Sequence, residues 1–332
     1  MNNNLNLAIL VYNNCKIHAK YRELIPKNYN LICVLGPTAS GKTSYAAELA
    51  YVTEGEIISA DSRQVYRNMN IGTGKDLDEY KKHGRPVPYH LIDIIEPGKE
   101  YNVYEFQKDF INAFRDIRSR DKMAVLCGGS GLYIEAVLSE YRLISVPVNI
   151  ELRKDLESKP LQELEKILRS YKIPHNTTDT LSRKRAIRAI EIEAYYSGNS
   201  KVEQDFPVFH YIIFGIDIDR ETRRRRITER LRYRLENGML EEAEALVRSG
   251  ITHEKLEFYG LEYRYLSQYI RGKLSYDEMF SGLNTAIHQF AKRQMTWFRR
   301  MEKKGFKIHW LDGKLSAEEL VNKSLEILED PN

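Results

Sequence analysis

The chain of 332 residues has only three cysteines, Cys15, Cys33 and Cys127. They are too few and too scattered for a disulfide framework or a zinc site. Cys33 and Cys127 sit in apolar runs and read as core thiols, a pattern that fits a reducing cytoplasm. Long hydrophobic runs are missing as well. No stretch approaches the roughly 20 apolar residues that cross a bilayer, so no membrane association is expected. Leu5 to Val11 is short, and the Asn-rich start lacks the basic segment of a signal peptide. Residues 1–29 therefore read as an N-terminal extension on a cytoplasmic protein. A surplus of one charge sign is absent too, since the formal net charge is only +4. The basic residues are unevenly placed, so their distribution says more than their sum. No internal repeat is visible.

What is present is a glycine-bounded loop, Gly36-Pro37-Thr38-Ala39-Ser40-Gly41-Lys42-Thr43, behind the apolar run Leu31-Ile32-Cys33-Val34-Leu35. A strand, this loop, then Lys-Thr opening a helix is the P-loop arrangement of ATP-binding, nucleotide-binding proteins. Backbone N–H groups and a helix N-terminus make a cradle for phosphate oxygens. Lys42 would reach the outer phosphates and the Thr43 hydroxyl would hold Mg2+. A glycine-rich turn packing a strand on a helix accounts for the glycines but not for Lys42-Thr43.

After this loop, strand-like runs alternate with helical ones. Glu56 to Ser59, His90 to Ile94 and Met123 to Cys127 read as strands, and Val103 to Arg118 as an amphipathic helix. That rhythm implies an α/β fold, a P-loop NTPase-like parallel sheet with helices on both faces. It stops near Pro147, and the strand signal resumes at His210 to Ile216. The expected organisation is a catalytic core from 31–146 and 209–332, interrupted by a helical insertion at 147–208. From Arg220 to about Lys304 the pattern is helical, broken near Gly250, Gly260 and Gly272. Lys307 to Leu311 is a last strand, followed by an acidic helix.

Asp61 falls where the second strand ends, beside the expected cradle. It can act as a general base or orient a nucleophile, or it can simply cap the turn Ser62-Arg63-Gln64. The fourth strand closes without the carboxylate that an ATPase uses for Mg2+ and water. That weakens an ATPase reading and leaves an ATP-dependent small-molecule or nucleotide kinase as the alternative. Arg183, Lys184, Arg185 and Arg188 cluster in the insertion. Arg223 to Arg226, Arg230, Arg232 and Arg234 follow the strand at 210–216. Such runs suit a solvated helix face, a pyrophosphate clamp or a nucleic-acid backbone. Tyrosines near further arginines suit unstacked RNA bases. The histidines show no ligand spacing and read as structural.

Together these segments resemble the tRNA dimethylallyltransferases, also called tRNA isopentenyltransferases. Besides the P-loop, the resemblance rests on Ser59-Ala60-Asp61-Ser62-Arg63-Gln64-Val65-Tyr66, Met69 to Lys75, His90-Leu91-Ile92-Asp93 and Gly128-Gly129-Ser130-Gly131-Leu132-Tyr133. It continues in Arg185 to Ile192 and in Ala291-Lys292-Arg293-Gln294-Met295-Thr296-Trp297-Phe298-Arg299. It spans nearly everything after residue 30 and is nearer to the bacterial type, since the zinc finger of eukaryotic relatives has no counterpart. The resemblance implies transfer of a dimethylallyl group from dimethylallyl diphosphate to the exocyclic amine of the adenosine 3′ of the tRNA anticodon. Diphosphate is released, and the partners are tRNA, gripped at its anticodon arm, and the prenyl donor, with Mg2+ as cofactor. No obligate protein partner is expected, and a monomer suffices.

Carried over by position, Asp61 is the general base on the amine and Thr38 assists near the leaving oxygen. The loop Gly36, Pro37, Thr38, Ala39, Ser40 and Gly41, with Lys42, Thr43 and Arg226 or Arg230, holds diphosphate, and Thr43 the metal. Asp61, Ser62, Arg63, Gln64 and Ser130 contact tRNA, as do Arg183, Lys184, Arg185 and Arg188 in the insertion and Lys292, Arg293 and Gln294 on a late helix. Three places depart from the family pattern. Ser130 stands for Thr, Gly72-Thr73-Gly74-Lys75-Asp76 for Gly-Thr-Ala-Lys-Pro, and Tyr259-Gly260-Leu261-Glu262 for Ile-Gly-Tyr-Lys.

Overall fold

The structure, a computed structural model, describes residues 28–141, 143, 146–171, 180, 182–198 and 206–329. Cys15 and the extension up to residue 27 lie outside the described residues. The chain divides into two compact units, one running up to Tyr141 and resuming at Pro207, the other Arg142–Phe206.

In the first unit a six-stranded sheet, in the order β5-β2-β6-β1-β7-β8, has three of its inner strands, β2, β6 and β1, buried along their whole length. The strands are β1 (Leu31–Leu35), β2 (Glu56–Ser59), β5 (Tyr89–His90), β6 (Ala124–Gly128), β7 (Tyr211–Asp217) and β8 (Ile308–Asp312). Every pairing in it is parallel. A small antiparallel hairpin, β3 (Lys81–Lys82) with β4 (Arg85–Pro86), stands apart. Because strand side chains alternate, Ile32, Val34, Val125, Cys127 and Phe214 face one side, where α1 (Lys42–Val52) and the C-terminal α12 (Ala317–Glu329) cover them. The other side is covered by α2 (Val103–Ser119) and α3 (Gly131–Leu138). Asn102 starts α2 by accepting hydrogen bonds from the Tyr104 and Glu105 N–H groups, and the helix buries Phe106, Phe110 and Phe114. Cys33 and Cys127 are buried free thiols. Burial pushes the Cys127 thiol up to about 12, so neither is poised to react.

The strand expected over 90–94 is cut short. Leu91 and Asp93 take left-handed φ values of 64° and 56°, which leave the extended region and turn Asp93 towards Lys75.

Five helices, α7 (Arg220–Glu236), α8 (Met239–Arg248), α9 (His253–Phe258), α10 (Leu261–Ile270) and α11 (Tyr276–Lys303), share a second core with Val65, Tyr66 and Met69. Breaks fall at Gly250, Gly260 and Gly272, and a further one, not anticipated, at Gly238, whose φ is 99°.

The second unit comprises α4 (Ile150–Glu157), α5 (Leu161–Tyr171) and α6 (Arg183–Gly198). Leu156, Leu164, Leu168, Ala186 and Ile190 form its core. Glu191 is buried beneath it and ion-paired to Arg153 and Arg188. Burial by itself would raise its pKa, but the two guanidiniums and the Asn149 N–H outweigh that and lower it.

Candidate active site

Parallel register brings Leu35, Gly128 and Gly215 level, with Ser59 beside Cys127. The loops after β1, β2, β6 and β7 therefore leave the same carboxyl edge of the sheet, where ligands of open α/β folds bind. Gly36 to Gly41 is the loop after β1. Gly41 takes a φ of 88°, a left-handed turn that glycine allows at little cost, and α1 starts immediately after it. The N–H groups of Gly41, Lys42 and Thr43 have no partner among the described residues, so this helix start can receive an anion. The Ser40 hydroxyl is buried without a hydrogen bond. Lys42 Nζ donates to the Pro37 carbonyl at 3.3 Å, and burial lowers its pKa. The charges that act on Lys42 include Arg230, Asp61 and Asp76, and of these Arg230 and Asp76 are ion-paired with each other.

Asp61 leaves β2 in a tight turn in which its Oδ1 accepts the Arg63 N–H at 2.8 Å. Capping and catalysis are thus compatible, because the turn uses only one of the two carboxylate oxygens. Ser62 N–H approaches Ser130 Oγ at 3.4 Å, which joins the loops after β2 and β6. Arg63 lies 5.4 Å over the Phe258 ring and stays partly exposed.

Several expected contact residues have other engagements. Gln294, on α11, is buried, with Oε1 accepting the Thr38 N–H at 2.8 Å and Nε2 donating to the Gly129 carbonyl at 2.9 Å. It ties the P-loop to the loop after β6, and both ends of its amide are used. One turn on, Trp297 packs so closely on Gly131 that a Cβ there would collide with the indole. Gln64 is buried between Ser59 and the Gly74 carbonyl. Arg226 donates to the Gly313 carbonyl at 2.9 Å, whereas Arg230 pairs with Asp76 and its charge acts on Lys42. In the second unit Arg188 is held by Glu191 and the Val146 carbonyl, and Arg183 by the Glu157 carbonyl. Lys184 and Arg185 are exposed without an ion pair among the described residues. So are Lys292 and Arg293, the latter 5.9 Å over the Phe290 ring.

Some residues that shape the site were given no site role from the sequence. Glu242 accepts the N–H groups of Asn70, Ile71 and Gly72 and the Tyr263 hydroxyl, and so fixes the loop that ends in Lys75. Lys75 is buried, donating to the Tyr66 carbonyl and to Asn70, and ion-paired with Asp93. Arg234 lies one turn beyond Arg230, and both pair with Asp76. The i, i+4 series Arg226, Arg230, Arg234 was the available signal for Arg234. Glu262 has a raised pKa through burial, near Arg230, Arg234 and Asp61.

This edge, with its glycine loop, helix start, lysine and arginine, defines a P-loop α/β protein whose site suits a phosphorylated ligand. Comparison with known proteins narrows the class. A family model described as IPP transferase matches residues 64–301, and one described as isopentenyl transferase matches 29–87. A tRNA dimethylallyltransferase 2 of Phocaeicola vulgatus is 56% identical over 306 residues, 92% of this chain and 100% of its own length. A tRNA dimethylallyltransferase 2 of Bacteroides fragilis is 58% identical over 295 residues, 89% of this chain and 96% of its own. The crystal structure of the tRNA isopentenylpyrophosphate transferase of Bacillus halodurans superposes with a TM-score of 0.65 at 29% identity, covering 91% of this chain and 97% of that one. The chain belongs to the IPP transferase family.

Proposed function

We propose that this protein transfers the dimethylallyl group of dimethylallyl diphosphate to the exocyclic amine of the adenosine 3′ of a tRNA anticodon. The observation that carries this reading is the family match over residues 64–301, in a chain whose strand register sets the Lys42 loop and the Asp61 turn at one carboxyl edge of the sheet. In the reaction the allylic C–O bond breaks, a C–N bond forms to the amine, and the amine proton passes to Asp61 Oδ2. Diphosphate leaves with the bonding electron pair.

Negative charge grows on the diphosphate as the bond breaks. Fixed cations at Lys42 and Arg230, with the open N–H groups at the start of α1, therefore stabilise the transition state more than the bound donor. The Thr38 N–H is taken by Gln294, so Thr38 acts through its hydroxyl, which has no partner among the described residues. The base must leave its stack to reach this edge, and partly exposed Arg63 with exposed Lys292 and Arg293 suit contacts to the RNA that presents it. Lys184 and Arg185 of the insertion suit backbone contacts as well. The reading places the protein in the cytoplasm with tRNA, acting without a protein partner.

Mg2+ fits the donors present. The Thr43 hydroxyl is a hard oxygen ligand without a hydrogen bond among the described residues, and Mg2+ takes few protein ligands because phosphates and water complete its shell. No cluster of three His, Cys, Asp or Glu side chains that could hold a metal occurs among the described residues, which suits a metal that arrives with the diphosphate rather than a dedicated cage. When bound it would neutralise part of the leaving group's charge, with Thr43 as its protein ligand.

The test is incubation with unmodified tRNA, Mg2+ and radiolabelled dimethylallyl diphosphate, with ATP as competitor. Label on the tRNA, undisturbed by ATP, is expected. A folded sample that leaves the tRNA unlabelled but binds ATP in preference would point instead to a kinase.

A further inference from the structure

Asp76 stands where the anionic ligand's own charge is needed. Its carboxylate bridges the guanidiniums of Arg230 and Arg234, the latter at 3.3 Å, and it acts on Lys42 as well. Gly74 makes this arrangement possible. A Cβ at position 74 would collide with the Arg234 guanidinium and lie 2.9 Å from that of Arg230, so a side chain there would require the guanidiniums to shift from where they stand beside Asp76. The two sequence departures at 74 and 76 are therefore one structural feature: a glycine that admits two arginines and a carboxylate that holds them. A third departure lies close by, since Glu262 adds a half-buried carboxyl on which the same arginines act.

We infer that Asp76 is a specificity-determining residue, a built-in counter-anion that limits how much negative charge the cradle accepts. The inference rests on the diphosphate reading of the site. A ligand bound at Lys42 and Arg230 shares those cations with Asp76 and is repelled by it. That repulsion grows with the charge the ligand brings, so a triphosphate is penalised more than a diphosphate. Discrimination against an abundant nucleoside triphosphate then comes from charge, in a loop whose backbone would otherwise receive either ligand. Asp76 also keeps Arg230 and Arg234 in place before the ligand arrives, which reduces the ordering cost of binding.

The test is binding of inorganic pyrophosphate and of tripolyphosphate, at one fixed Mg2+ concentration, to the full chain and to Asp76→Asn. Asparagine tolerates the left-handed backbone of position 76 (φ 43°) and keeps the side-chain shape while removing the charge. The side chain is 43% exposed, so the core is untouched, and a thermal melt checks folding. The wild type should prefer pyrophosphate. In Asp76→Asn the preference should move towards tripolyphosphate on the order of tenfold. An unchanged ratio, with pyrophosphate still bound by the wild type, overturns the role of Asp76 and leaves the cradle standing. Failure of the folded wild type to bind pyrophosphate at all overturns both the inference and the diphosphate reading beneath it.

Discussion

Truncating Gln294 would leave the Thr38 N–H and the Gly129 carbonyl without the partner that both now share. Each unpaired buried group costs about 1–3 kcal/mol. Gln294→Ala should therefore lower the denaturation midpoint and slow prenyl transfer, with tRNA affinity unchanged within about twofold, near the noise of mutational effects at uninvolved sites. Thermal unfolding and a filter-binding titration on the same preparation check it. A direct RNA contact would give the opposite pattern, weaker tRNA binding at unaltered stability. Part of the placement at this scale could be read from residue types: the segments that carry Lys42, Thr43 and Asp61 leave the carboxyl edge of the sheet. The directions of Gln64, Gln294 and Lys75 could not. A polar side chain in a loop or on a helix carries no mark of facing inward, and only tertiary packing supplies the carbonyls that satisfy it.

The longest helix, α11, carries Gln294 and Trp297 to the sheet edge, so its start and placement matter to the site. Ser275 and Glu278 close it with a reciprocal capping box, and its buried stripe runs from Met279 through Leu283, Ile287, Ala291, Met295 and Phe298 to Met301. Ser275→Ala should cost about 1 kcal/mol in chemical denaturation, with transfer activity at low temperature unaffected. Strand and helix alternation made these elements legible, because buried parallel strands are short apolar runs and covering helices show a 3.6-residue period. Element ends were less legible. Leu91 and Asp93 look strand-compatible in sequence, yet both take left-handed φ values, and Asp93 pairs with Lys75 instead of continuing the strand. Gly238 ends a run whose charges and leucines read as continuous helix.

For the whole molecule, the sheet edge away from the site is pinned by Glu56, whose buried carboxylate pairs with Arg120 and His90. The Arg120 guanidinium chiefly holds its pKa below the ordinary value of 4.5. A depressed carboxylate contributes stability that is full above its unfolded pKa and fades as pH falls through its folded one. Stability should therefore decline below pH 4.5, and Arg120→Ala should make that decline shallower while lowering stability at neutral pH. Urea denaturation across pH, followed by circular dichroism, measures both slopes. The α/β core was visible from its short apolar strand runs, while the loss and return of strand signal near Pro147 and His210 gave the helical insertion only as an expectation. Asp76 and Glu262 were visible only as departures from a pattern, and their shared neighbourhood with Arg230 and Arg234 became apparent only in three dimensions.

The most direct measurement is transfer of label from dimethylallyl diphosphate to an unmodified tRNA, with the labelled nucleotide mapped, for the wild type and for Asp61→Ala. The expected result is label on the adenosine 3′ of the anticodon, with a rate lower by about two to four orders of magnitude in the variant. Unlabelled tRNA from a folded wild type, or equal rates in the two proteins, would contradict the assignment of this sheet edge as a prenyl-transfer site with Asp61 as its base.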